Sequence, residues 1–433
     1  MRHVLFISYY FPPSGGPGVQ RGLQFVRHLP TFGWQPAVLT VRTEDAAFPE
    51  WDEALLTQIP DEVPVLRTPA FNPFAVYAKL MGRQKSTMTI GTLGEANTTQ
   101  DRLLHWLRAN LLVPDARVGW NQAAIRAGLD WIRSHPVDAI ITTGPPQSSH
   151  LIGRALKRKT GLPWLADFRD PWTDISYYHQ LPHSAPVRAW DAHLERAVLT
   201  EADVVTVVSP YYLRQMQTKV PQVNPEKFCY LPNGYVPQDQ PPASNLRSDT
   251  TFILQYTGSL FVNPTGLWQA LAELRPQMPA LRLRFTGRLD PRTEADIRDH
   301  GLGDIFQFEP YVPHEEALQR TQSAAALLLV IEERAGTQGI LTGKIFEYLA
   351  SGRPILGVGP EDGDAHDLLR QMGLPGMISH QNLPALKTEL LGLYQRWASG
   401  KDLTQDRTSP LEPFTRRALT QQLATHLTRI QPA

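Results

Sequence analysis

The chain has 433 residues, 42 Lys and Arg against 42 Asp and Glu, 38 prolines and a single cysteine. That length calls for two domains with separate cores, and the balanced charge argues against a nucleic-acid binder, which would carry a basic excess or stripe. Cys229 alone excludes a disulfide framework or a thiolate metal cluster, so a reducing cytoplasm is the expected compartment. No window approaches the roughly 18 apolar residues of a membrane span. The apolar run 4–7 reads as a first strand and not as a signal peptide, since no longer apolar stretch or cleavage site follows it. Next come Gly15, Gly16 and Gly18, then Arg21 and a helical spacing of Leu23, Val26 and Leu29. Strand, glycine-rich turn and helix open a doubly wound sheet. These glycines lack the dinucleotide spacing, so no NAD site is read, and a tight turn alone would also account for them.

A second strand covers 36–41, after which regularity fails from about 45 to 115, and an insertion is expected. Within it Leu103, Leu104, Leu107 and Leu111 share one helical face with Trp106 beside them. That face is expected to pack on the sheet, with docking on a membrane surface as the alternative. The pattern then becomes regular: helix 121–132, strand 137–143, a loop 144–150 leading into a helix through 159, and strand 163–166. Alternating strands and helices mean parallel βαβ units, with ligands at the carboxyl ends of the strands. One such end is Thr143-Gly-Pro-Pro-Gln-Ser-Ser-His150, where Ser148 or Ser149 can cap the next helix and His150 is either catalytic or structural. The other is Asp167-Phe-Arg-Asp170, two carboxylates around Arg169 straight after a strand, where charges must be solvated or paired. Arg169 alone can neutralise them.

After a helix at 185–201 and a strand at 203–209, Pro-Asn-Gly at 232–234 is a turn signal, and the polar, proline-rich run 237–250 reads as a linker. The scheme then repeats: strand 251–258, helix 264–274, strand 281–287, helix 292–300, a buried strand 324–330, and a glycine-bearing loop at 336–341 before a helix opening at Thr342. That last layout is an anion site. A helix start offers unpaired N–H groups and a positive dipole end, and glycines such as Gly339 and Gly343 let a phosphate come close. Thr342 can cap the helix, Lys344 adds a cation, and Glu347 lies on a neighbouring face three residues on. The spacing is not that of a P-loop, and a loop and helix that bind nothing would look much the same. A final helix, about 410–430, carries Phe414, Leu419, Leu423 and Leu427.

Two runs go further. Residues 138–172, with Gly-Pro-Pro-x-Ser-x-His and Ala-Asp-Phe-Arg-Asp-Pro-Trp, and residues 336–357, with Gly-Lys-Ile-Phe-Glu-Tyr-Leu-Ala-Ser-Gly-Arg-Pro-Ile-Leu, resemble family-4 retaining glycosyltransferases of the GT-B fold. The branch resembled is bacterial and serves surface-polysaccharide assembly. The resemblance spans nearly the whole chain and is weakest at 45–115. It implies an α/β protein of two doubly wound, Rossmann-like domains facing across a cleft: an acceptor-side domain at 1–236, a linker at 237–250, a donor domain at 251–408, and a helix at 409–433 returning to the first domain. The implied reaction moves a sugar from a nucleotide-diphosphate donor to a glycan or polyprenyl-linked acceptor with retention of configuration. No cofactor or metal is expected, and contact with the cytoplasmic face of a membrane stays open.

By the same resemblance Gly15, Gly16 and Arg21 are cleft residues, and Asp167 and Asp170, with His150, bind the acceptor or remove its proton. Glu347 holds the donor ribose. The family's first glutamate falls on Gly339, so Gln338 or backbone N–H groups of 336–341 must substitute. The turn after Gly258 faces the donor, with Ser259 and Leu260 where relatives place an arginine, leaving Lys344, Arg288 and helix starts to carry the phosphate charge. Tyr311 or Val312 would touch the base. Two other readings remain: a nucleotide-sugar 2-epimerase using His150, Asp167 and Asp170, and a non-catalytic nucleotide-sugar-binding partner subunit, which the missing glutamate and arginine favour.

Overall fold

The computed structural model describes residues 1–71, 99–237, 250–310, 312–401, 403 and 408–432. Tyr311 and most of the expected linker lie outside the described residues. The chain divides into two compact units, Met1–Pro232 with Arg416–Ala433, and Asn233–Thr415.

In the first unit the order is β1 (Arg2–Ile7), α1 (Pro17–His28), β2 (Trp34–Val41), β3 (Val65–Thr68), α2 (Thr99–Leu111), α3 (Asn121–Ser134), β4 (Ala139–Gly144), α4 (Ser148–Thr160), β5 (Trp164–Phe168), α5 (Ala185–Glu201), β6 (Val204–Val207), α6 (Pro210–Lys219) and β7 (Phe228–Tyr230). All seven strands are parallel, in the spatial order β3-β2-β1-β4-β5-β6-β7. Strands covered on both faces read as continuous apolar runs, as Val4 to Ile7 and Val204 to Val207 do. The edge strand β3 falls inside the stretch expected to be irregular; four residues flanked by Pro64 and Pro69 are too short to show a period. The apolar side of α2 was expected on the sheet, yet Leu103, Trp106 and Leu111 are exposed. Asn110 fixes this helix instead, donating to Pro182 O (2.9 Å) and accepting from Ser184 N–H (2.8 Å). The side chain of Leu104 lies outside the described residues.

The second unit runs β8 (Phe252–Leu260), α7 (Thr265–Leu274), β9 (Leu281–Leu289), α8 (Pro291–Asp299), β10 (Phe306–Glu309), α9 (His314–Ser323), β11 (Ala326–Val330), α10 (Gly343–Ser351), β12 (Ile355–Val358), α11 (Asp364–Gln371) and α12 (Leu383–Ala398). Its parallel sheet has the order β10-β9-β8-β11-β12. Both sheets therefore reverse direction beside their first strand, between β1 and β4 and between β8 and β11, and ligands of such sheets sit at the strand ends there. Asn233 to Val236, expected in the first domain, belong to this unit, since Asn233 donates to Leu341 O (3.1 Å) and Tyr235 pairs with Thr415. The last helix, α13 (Arg416–Arg429), is part of the first unit and buries Leu419, Leu423 and Leu427 in its core.

One buried ion pair ties the first unit together. Arg21 on α1 donates to both oxygens of Asp167 (3.1 and 2.7 Å), to Leu231 O (2.9 Å) and to Pro232 O. Asp167 lies within β5, in register with Thr143 on β4 and Thr206 on β6, and both hydroxyls donate to it at 2.8 Å. Burial works to raise its pKa, but Arg21 and these hydroxyls hold the carboxyl below its ordinary value. The expectation that Asp167 follows the strand as an acceptor base, and that Arg21 faces a ligand, is corrected: they are 1% and 2% exposed and spend their polar atoms on each other. Breaking a buried pair strands a charge and costs about 3–5 kcal/mol, whereas an apolar replacement of both can be nearly neutral. Chemical denaturation should therefore show Arg21→Met losing about that much, and the double variant Arg21→Met, Asp167→Leu losing clearly less.

Candidate functional site

In the second unit the site is built on the start of α10. The first N–H groups of a helix have no helical partner. Thr342 occupies the N-cap position with extended backbone, but the expected cap bond is absent: its hydroxyl is buried without a partner. Beside it the space is open, for a Cβ added at Gly343 would meet nothing within 4 Å. Lys344 reaches back to β8, where its Nζ donates to the Tyr256 hydroxyl at 2.6 Å and lies 4.2 Å from the centre of that ring. Tyr256 in turn donates to Ser259 O at 2.7 Å. Burial lowers the Lys344 pKa, with Tyr348 and Glu347 opposing. Gly258 has φ +103, and a Cβ there would come within 3.0 Å of the Lys344 ammonium; glycine leaves the cation its room. One turn further on, the buried Tyr348 hydroxyl meets Thr257 N–H (3.1 Å) and Oγ1 (3.0 Å), so α10 is attached to the end of β8 at two levels.

Glu347 lies 4.0 Å from His314 Nε2 at the start of α9. Thr342, Gly343, Lys344, Glu347 and Gly258 are thus gathered by two elements. Ser259 and Arg288 stand in register on β8 and β9, both exposed. The turn expected at 258–263 is displaced, because β8 and β9 stay paired through Leu260 and Leu289 with Gly258 and Gly287 face to face. Gln338 accepts from Gly336 N–H through Oε1 (3.0 Å) and from Asp364 N–H through its carbonyl (2.8 Å), which pins the loop to α11, and Gly339 is buried. A further polar cavity of ≈ 220 Å³ at the ends of β8, β11 and β12 is lined by Asn263, Glu332, Glu333 and His380. Glu333 accepts there from Ser379 Oγ (2.7 Å) and His380 N–H (2.6 Å). No sequence signal marked Tyr256, Tyr348 or Glu333, which read as ordinary strand, helix and loop residues.

In the first unit, α4 is not capped by Ser148 or Ser149. Asp115 serves its start, accepting from Ser148 N–H (2.8 Å) and Oγ (2.9 Å). His150, in the first turn, is fully buried and stacks on Phe168 at 4.2 Å. Its Nδ1 is 2.8 Å from Thr142 Oγ1, which also accepts Trp164 Nε1–H at 2.9 Å, while Nε2 has no partner. Burial pulls its pKa down to about 3, helped by Arg169 and opposed by Asp167, so the ring is neutral. A Cβ at Gly144 would fall 2.5 Å from that Nε2 and 2.8 Å from the unpartnered Gln147 Oε1.

Arg169 donates to Gly144 O (3.1 Å) and Pro145 O, and its Nη1 stands 1.8 Å from where a Cβ of residue 18 would be, which is why residue 18 is glycine. Gly15 N–H is spent on Glu50 O (3.0 Å), and Gly16, at φ +97, turns the chain into α1. Asp170 is half-buried, and burial raises its pKa against the pull of Arg169. Asp191 accepts from Trp172 Nε1 and Tyr178 OH, each at 2.8 Å, and burial pushes it up to about 6. Among the described residues no three His, Cys, Asp or Glu side chains cluster to hold a metal, and no helix is long and apolar enough to cross a membrane.

Two doubly wound units, the second with a cation at a helix start beside its switch point, define a GT-B protein, and comparison with solved structures gives the same fold. The sucrose-phosphate synthase of Thermosynechococcus elongatus aligns over 99% of each chain with TM-score 0.68 and 16% identity. Anabaena Alr3699/HepE, solved with UDP and glucose, aligns over 99% of this chain and 100% of that one (TM-score 0.60, 14% identity). WaaG, a glycosyltransferase involved in lipopolysaccharide biosynthesis, aligns over 98% and 99% (TM-score 0.57, 16% identity). Identities this low establish the fold alone. No curated protein sequence matches. A family model, the glycosyl transferase 4-like domain, matches residues 15–234, and the chain belongs to that family.

His150 and Asp191 pull stability in opposite directions with pH. His150 stays neutral when folded but titrates near 6.5 when unfolded, so its contribution is whole above pH 6.5 and is lost as pH falls toward 3. Asp191, raised when folded, favours the native state as pH drops from about 6 toward 3.8. At pH 5 the histidine costs about 2 kcal/mol relative to pH 7 and the carboxyl returns roughly 1 kcal/mol. Denaturant unfolding of His150→Gln should show this acid loss removed; an unchanged slope would mean that the folded protein protonates His150.

Proposed function

We propose that the chain is a retaining glycosyltransferase that binds a nucleoside-diphosphate sugar in its second unit and an acceptor glycan or lipid-linked glycan in its first. The observation that carries this reading is the Lys344 ammonium beside the open start of α10 and Gly258. The N–H groups of a helix start, its positive dipole end and a partly desolvated cation suit a diphosphate leaving group, whose charge grows in the transition state. The unpartnered Thr342 hydroxyl is a further donor for it, and Glu347 is the group for the ribose. Retention needs no protein nucleophile here: the diphosphate departs toward Lys344 while the acceptor hydroxyl attacks from the same face.

On the acceptor side we assign proton removal to Asp170, whose raised pKa suits a general base. Asp167 is already saturated by Arg21 and two threonines. Leu103, Trp106 and Leu111, exposed on α2, support docking on a membrane surface if the acceptor is polyprenyl-linked. Membership of the family and likeness to WaaG, a glycosyltransferase involved in lipopolysaccharide biosynthesis, support a role in polysaccharide assembly.

The test is turnover of a panel of nucleotide-sugars, followed by nucleoside diphosphate release with and without glycan acceptors, and by NMR of the product anomer. Lys344→Ala should lower kcat/KM by about 10²–10³-fold, the range for losing one donor to a developing anion. Equal activity of that variant, an inverted product, or consumption of no donor at all would each overturn the corresponding part of the reading. The last result would favour the non-catalytic subunit, and a 2-epimerised free nucleotide-sugar would favour the epimerase.

A further inference from the structure

A cavity of ≈ 150 Å³ lies within the first unit, walled by α2, the 112–117 segment, the 145–147 turn and the stretch 171–191. It adjoins the group assigned above to the acceptor proton: Pro171, next to Asp170, lines it, and Gln147 in its wall donates to Asp170 O (3.4 Å) and Pro171 O (3.3 Å). Prolines, leucines and the rings of Trp172, Tyr177 and Tyr178 make most of its wall. A few polar groups set in an apolar wall is the make-up of a small-molecule site.

Those polar groups are unfinished. Arg117, Gln147 and His183 all line the cavity, each is at least nine-tenths buried, and each has a polar atom without a partner: Nε, Oε1 and Nδ1 respectively. A buried donor or acceptor left alone costs about 1–3 kcal/mol, so three around one void call for a polar occupant. Arg108 lines the same wall, its pKa lowered first by burial and then by Arg117, while Arg117 already donates to Ala47 O (3.0 Å) and lies against the Tyr9 ring, which leaves its Nε for an occupant. Asp115, between them in sequence, is committed to Ser148 and to Arg117 N–H. On the facing stretch Asp191 holds its carboxyl between two neutral donors, Trp172 Nε1 and Tyr178 OH, with lone pairs to spare for hydroxyl groups. A pocket of about 150 Å³, open on one side, has room for one six-membered ring whose substituents need not all lie inside it.

We propose that this cavity is the acceptor subsite and takes one pyranose residue bearing a carboxylate or phosphate. The ring lies against Trp172 and Tyr178, its hydroxyls reach Asp191 and Gln147, and its anionic group is held by Arg108 and Arg117. This rests on the glycosyltransferase reading and narrows it to an acidic acceptor sugar.

The test is saturation-transfer NMR and calorimetric titration of the whole chain with methyl glucuronide, glucose 6-phosphate and uncharged methyl glucoside, alongside titration with nucleoside diphosphates. The anionic sugars should bind, the uncharged one at least about tenfold more weakly. Arg108→Gln and Arg117→Gln should each weaken the anionic sugars by about 10–100-fold, the range for one charge-assisted hydrogen bond, and leave nucleotide binding unchanged. Ala109→Leu fills the cavity without removing a charge and should also abolish binding, which serves if the arginine variants unfold early. Preference for the glucuronide or the phosphate tells which anion is natural. Equal binding of the uncharged glycoside, or no glycoside binding while a nucleoside diphosphate still binds, overturns the proposal and leaves the void to water. If no nucleotide binds either, the transferase reading falls and the subsite falls with it.

Discussion

A lysine ammonium held half-buried at the start of a helix is the constraint around which the second unit is built. Charge in such a place is expensive without a partner, and here the partner is the face and hydroxyl of Tyr256, a neutral group. Tyr256 takes its own orientation from Ser259 O, so the cation, the ring and the end of β8 move together. Gly258 is the consequence, since any side chain there would press on Lys344. Tyr348, bonded to Thr257, keeps the helix at the height that makes this possible. A cation whose hydrogen bond goes to a neutral hydroxyl, with Glu347 acting on it only through space, is ready for an anion, and the unpartnered Thr342 hydroxyl beside it is in the same condition.

The first unit solves its charge problem the other way. Asp167 and Arg21 are paired to saturation, and their network joins β4, β5, β6, α1 and the end of the unit. With that carboxylate committed, the groups left with incomplete partners include His150 Nε2, Gln147 Oε1, Arg117 Nε and His183 Nδ1. Chemistry toward a ligand belongs to groups in that state. It also explains why two aspartates three residues apart have opposite pKa directions: one is held ionised by a guanidinium, the other is mainly desolvated.

Much of the architecture was legible in the residues because parallel strands buried on both faces leave unbroken apolar runs and their loops carry glycine and proline. The helix that carries Lys344 and Glu347 was legible from the Thr-Gly at its start and the apolar strands on either side of it. Short or polar elements were not: β3 has four residues between prolines, and β10 alternates Phe306 and Phe308 with polar residues over four positions. Function misread from sequence had one physical source. Asp167 looks like a loop carboxylate because its neutralising partner, Arg21, is 146 residues away, and the two threonines that hydrogen-bond it lie on neighbouring strands. Contacts of that separation leave no local pattern. The cavity below α2 was hidden likewise, since its walls come from four separate stretches of chain.

The most direct measurement is a crystal structure of the protein with a bound nucleoside diphosphate. The account predicts phosphate oxygens within hydrogen-bond distance of Lys344 Nζ, Thr342 Oγ1 and the first N–H groups of α10, with the ribose hydroxyls on Glu347. A diphosphate lodged elsewhere, for example in the cavity beside Glu333 and His380, with Lys344 still turned onto Tyr256, would contradict it.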